Sequence, residues 1–128
     1  MTRLYVPLLV DELADVAASG QLPARPGYGV TDHLRAGDPA ADEEDLEFEA
    51  MCEALDAARS LGGGRRIVVA ADAAPREDDG DGARLAGSGV VELTDVVSFH
   101  VEEHEGAAGT GYDDLLWYDV TELELLVS

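Results

Sequence analysis

The 128 residues carry 28 acidic side chains against 8 basic ones, a formal net charge of −20. Such a field repels nucleic acid and anionic membranes and favours solubility. Cys52 is the one cysteine, which excludes an internal disulfide and a cysteine-rich metal site, and no apolar run approaches the roughly 18 residues of a membrane span.

A hydrophobic fraction of 46% is ordinary for a globular chain and supports one core in one domain over residues 1–128. The first apolar run meets Asp11 at once and is too short for a signal peptide, so the expected setting is cytoplasmic. All eight basic residues are arginine, a codon bias that suits a GC-rich genome.

Residues 3–10, RLYVPLLV, read as a strand buried on both faces. Pro7 cannot donate to a ladder, which puts this strand at an edge, at a bulge, or at its end. Asp11 can cap a following helix, in which Leu13, Val16 and Ala17 share a face, and Gly20 stops it. Residues 21–40 are broken by proline and glycine; a short strand is expected over 28–31. Asp38-Pro39 suits a helix start there or a few residues later.

Residues 43–61 form the best helix. Phe48, Met51, Cys52, Leu55 and Ala58 make an expected buried stripe, and Glu49, Glu53, Asp56 and Ser60 the opposite one. Asp42, Glu43, Glu44 and Asp45 fall in the first turn and Arg59 near the last, both signs favourable to the helix dipole. Gly62-Gly63-Gly64 ends the helix, and residues 65–71, RRIVVAA, follow as a central strand. Residues 72–82 read as a polar surface loop.

A short strand is expected around Val90, Val91 and Leu93. Residues 95–103 alternate, with Val97, Phe99 and Val101 on one side and Ser98, His100 and Glu102 on the other. Residues 115–118, LLWY, form a last strand. Asp119 with Glu122 resembles a capping box, and Val120, Leu123, Leu126 and Val127 then share a helical face; a strand through 121–127 is the rival reading. The fold class is α/β (or α+β), with a mixed sheet of about four to five strands and two or three helices.

The segments RLYVPLL, DEEDLEFEA, RRIVVAAD and DLLWYDVTEL resemble a family of small acidic actinobacterial proteins of unknown function. The resemblance implies a high-GC bacterial origin and carries over no catalytic residue.

His100 to His104 matches H-x-x-E-H, a zinc-peptidase spacing that needs a helix. On a strand the two residues stand roughly 13 Å apart, too far to hold one metal. Glu77, Asp79, Asp81 and Gly82 align with the start of a calcium loop, but its twelfth position is Ser88 where glutamate is needed. Gly62-Gly63-Gly64-Arg65 follows a helix and so is no phosphate loop. No cofactor or metal is expected.

Two functions remain. The first is a non-enzymatic module that binds a basic protein partner, with Asp42, Glu43, Glu44, Asp45, Trp117 and Tyr118 as its interaction residues. In that reading the adjacent pair Trp117 and Tyr118 is an aromatic anchor at a protein interface; otherwise one ring fills the core and the other packs at its edge. The second is a small enzyme, or a small-molecule or metal-binding domain. It would use strand-end carboxylates such as Asp11 and Asp72 with His100 or His104.

Overall fold

The computed structural model describes residues 2–74, 76–80, 82–86 and 89–127. Strands β1 (Thr2–Leu9), β2 (Arg66–Ala73), β3 (Val96–Val101) and β4 (Leu116–Asp119) form one sheet in the order β1-β2-β3-β4. The strand count lies within the expected range. All three pairings are antiparallel, so of the two expected classes the chain is α+β, and its sheet is not mixed in direction.

Four helices accompany the sheet, α1 (Leu13–Ser19), α2 (Asp32–Gly37), α3 (Glu43–Arg59) and α4 (Leu123–Val127). That is one more than expected; α2 hides in the proline- and glycine-rich stretch. Thr31 Oγ1 caps it by accepting from the Leu34 N–H at 2.9 Å. Asp78 Oδ2 accepts from the Asp32 N–H at 2.8 Å.

Both faces of β1 and β2 are covered, which is why these two strands are near-continuous apolar runs. Leu4, Val6, Leu8, Ile67, Val69, Phe99 and Val101 meet α1 and α4 in one core. On the opposite face Tyr5, Val68 and Ala70 meet α3 through Leu46, Ala50, Ala54 and Leu55. β1 is an edge strand, as Pro7 requires. Tyr5 exchanges two hydrogen bonds with Tyr28 on its outer side, at 2.7 and 2.8 Å. Pro7 lies two residues on, so its missing N–H points the same way and costs the sheet nothing. Its carbonyl accepts from Arg25 Nη1 at 3.1 Å.

Several local expectations need correction. Asp11 does not cap the chain's entry to α1; Glu12 accepts from the Leu9 N–H instead, at 3.0 Å. The strands expected over 28–31 and around Val91 are single bridges, at Tyr28 and Glu92. The chain enters α3 at the later of the two expected points, where Asp42 caps it by accepting from the Asp45 N–H at 2.9 Å. Along α3 the buried side is Leu46, Ala50, Ala54, Leu55 and Ala58, while Phe48 is exposed and Met51 and Cys52 are half-buried. The helix lies close to the sheet, so its alanines face inward.

A bulge between Ala70 and Ala71 shifts β3 by one residue, so Val96 rather than Val97 enters the core. The choice after Asp119 falls to a helix. Glu122 Oε1 accepts from the Asp119 N–H at 3.0 Å and Asp119 Oδ2 accepts from the Thr121 N–H at 3.0 Å. A 3-10 turn then leads into α4, and Leu123 is buried.

Candidate functional site

Helix α3 lies across β1 and β2 and leaves the same face of β3 and β4 open. The register sets His100 opposite Trp117, and both side chains point to this open half. Phe48 and Met51 of α3 form the facing wall. Together they border a groove of about 320 Å³ that reaches Ser98 and Tyr5 at its floor and Glu44 and Glu47 at its rim. Trp117 is 61% exposed and Phe48 42%. Tyr118 points to the other face, where it packs against the core. The adjacent aromatics thus divide as alternation requires, one inward and one outward.

The polar groups of the groove are mostly paired. Ser98 Oγ and His100 Nε2 lie 3.1 Å apart. Arg3 Nε donates to Asp72 Oδ1 at 2.8 Å. The Tyr5 hydroxyl lies 3.5 Å from Glu47 Oε2, and its pKa is pushed up to about 12 by burial and then by the Glu47 charge. His100 is held below its ordinary value, first by burial and then by the nearby Arg3 cation, both of which disfavour the imidazolium. Among the described residues no carboxylate orients the other imidazole nitrogen, so Ser98 and His100 satisfy one another rather than forming a triad.

The acidic cluster sits on the surface beside this groove. Asp42 is spent on capping α3, and Glu43 forms a two-armed pair with Arg35 at 2.9 and 3.2 Å. Glu44 and Asp45 are exposed.

The carboxylates proposed for chemistry do not converge. In an antiparallel pair the C-terminal ends of β1 and β2 lie at opposite ends of the strands, so Asp11 and Asp72 are about a strand's length apart. His100 is in mid-strand, and His104 lies past the end of β3 in a separate cavity with Glu103 and Asp114. Among the described residues no group of three or more His, Cys, Asp or Glu could hold a metal ion. Asp81 and Ser88 of the calcium-loop alignment lie outside the described residues. Cys52 is no activated thiol; burial and then the surrounding carboxylates raise its pKa to about 11.

Sequence reasoning missed one buried site. Arg66, fully buried, donates from Nε and Nη2 to Glu102 at 2.8 and 2.9 Å, and Glu102 is 5% exposed. Nη2 also reaches the Thr110 carbonyl at 2.9 Å. Burial opposes ionisation of Glu102, but the hydrogen bonds from Arg66 outweigh it and hold its pKa below the ordinary value. Gly106 crowds this pair: a Cβ there would stand 2.6 Å from Glu102 Oε2. The pair ties the 102–112 loop to the sheet and so sets where β4 begins. An arginine opening an otherwise apolar strand is the signal that points to it.

No curated protein and no solved structure matches this chain. No helix among the described residues is long and apolar enough to cross a membrane. A family model covers residues 2–127, nearly the whole chain, so the chain belongs to DUF6912, a family of unknown function.

Proposed function

We propose that this chain is a non-enzymatic protein-binding module that receives a basic partner on the open half of its sheet. One observation carries the reading: Trp117 and Phe48 stand exposed across a groove whose rim is Glu44 and Glu47. Large aromatics held on rigid elements are efficient anchors, because they bury area with few rotors to freeze. The carboxylates around them, backed by a net charge of −20, steer a cation and repel nucleic acid. A lone half-buried cysteine suits a reducing compartment, and a cytoplasmic setting goes with this reading.

The test is affinity capture from a host lysate at low salt and at about 0.5 M salt, where surface charges are screened. Wild-type bait is compared with Trp117→Ser and Phe48→Ser baits. The reading expects one stoichiometric partner, weakened by salt and lost from both variants. A partner held equally by all three baits, or none at any ionic strength, overturns it.

A further inference from the structure

The two edges of the sheet are treated differently. The outer side of β1 is closed by the Tyr28 bridge, by Pro7 and by Arg25. On the outer side of β4 the Asp119 N–H is taken by Glu122 Oε1 at 3.0 Å, and among the described residues none of the devices of β1 covers the strand before it.

The ladder phase identifies which β4 groups face outward. The Glu102 N–H donates to the Arg66 carbonyl at 3.0 Å, so Arg66, Val68 and Ala70 bond toward β3, and Phe99 and Val101 bond toward β4. Their partners are Tyr118 and Leu116, so the Trp117 N–H and C=O point away from the sheet. Among the described residues neither has a hydrogen-bond partner. An open edge of this kind is a template for another strand.

On the basis of the binding role proposed above, we infer that β4 takes an extended, arginine-bearing segment of the partner as a fifth strand. The side chains suit this occupant. Trp117 on one face and Leu116, 39% exposed, on the other offer apolar contacts to the alternating residues of an incoming strand. Asp113 and Asp114 stand exposed just before β4, where one end of such a segment would pass. The same charges disfavour a second copy of this chain, since two surfaces of −20 repel. Main-chain bonds then supply affinity and the flanking acids select charge.

The probe is a synthetic peptide with two arginines at each end and a central Val-Thr-Val-Thr-Val. Binding is followed by the fluorescence of Trp117, the only tryptophan, and by hydrogen exchange at the Trp117 amide. Two further peptides are N-methylated, one on the valine amides and one on the threonine amides. Strand addition faces only one alternate set toward β4. One methylated peptide is therefore expected to bind at least about tenfold more weakly, with the other within about twofold of the parent. The Trp117 amide becomes protected.

A peptide that changes Trp117 fluorescence, leaves its amide unprotected and tolerates both methylations overturns strand addition while leaving the groove reading intact. No binding by the peptide, with a lysate partner still lost from the Trp117→Ser bait, has the same meaning. Failure of both measurements removes the binding role itself. A sedimenting dimer whose Trp117 amide is protected without peptide assigns the edge to a second copy, and overturns the inference.

Discussion

Arg66 and Glu102 are the residues on which the most depends. Each is buried and each is the other's main counter-ion, with Arg59 Nη2 3.6 Å from Glu102 Oε1 and Asp56 Oδ1 3.9 Å from Arg66 Nη1 as second partners. Arg66→Met leaves Glu102 as a buried carboxylate without its main partner and is expected to cost about 3–5 kcal/mol in urea unfolding. The double variant Arg66→Met/Glu102→Leu removes both charges and should recover part of that loss; equal losses would show that the pair does not act as a unit. The same contact sets a pH dependence. The folded pKa of Glu102 lies below its ordinary 4.5, so its stabilisation is complete above that value. It is lost as pH falls through the lower folded value. Between about pH 5 and pH 3, wild type should therefore lose more stability than Glu102→Gln, as read by urea unfolding at each pH. The comparison with the variant is needed because acid also relieves the general carboxylate repulsion. An arginine beside a strand is visible in the sequence, but its partner lies 36 positions away and only folding names it.

At the scale of elements, local chemistry was legible and orientation was not. The acidic first turn and the basic last turn of α3 act over a few residues, and each is where the sequence puts it, while the helix ends at Arg59 with Ser60 as its C-cap, before the expected glycine stop. The face that α3 buries depends on how closely it approaches the sheet. Phe48 reads as core by hydrophobicity, yet the close approach admits Ala50 and Ala54 and turns Phe48 toward the groove. The two residues should respond unequally. Ala54→Leu overfills a closed interface and is expected to cost about 1–3 kcal/mol. Phe48→Ser should cost less, about 1 kcal/mol or below, because the ring is already 42% exposed and no closed interface depends on it. Thermal melts of the two variants decide this, and a large loss for Phe48→Ser would place it back in the core. The bulge opposite Val97 follows the same logic. Alternation along β3 predicts one phase, and a one-residue insertion in the pairing moves Val96 inward.

For the whole molecule, charge is the dominant fact. A net −20 on a chain of 128 residues works against compaction, and salt screens it. The melting temperature should rise between low salt and about 0.5 M sodium chloride, while Arg66→Met keeps the same slope, because its buried pair is little screened. A flat response would mean that the carboxylates stand far enough apart for their repulsion to be screened already at low salt. The proposed partner interaction has the opposite salt dependence, so stability and binding are separable by one titration. Composition by itself determined the charge, the absence of disulfides and the existence of a core, since these are sums over residues. Periodicity and capping determined β1, β2, β3 and α3, because those signals act within one or two turns of chain, and left helix and strand open after Asp119. Tertiary structure alone decided the antiparallel order, which separates Asp11 from Asp72, and the buried Arg66–Glu102 pair. It also decided which half of the sheet stays open beneath Trp117. Each of these depends on long-range pairing, in which residues far apart in sequence compete for the same surface, and no local pattern carries the result.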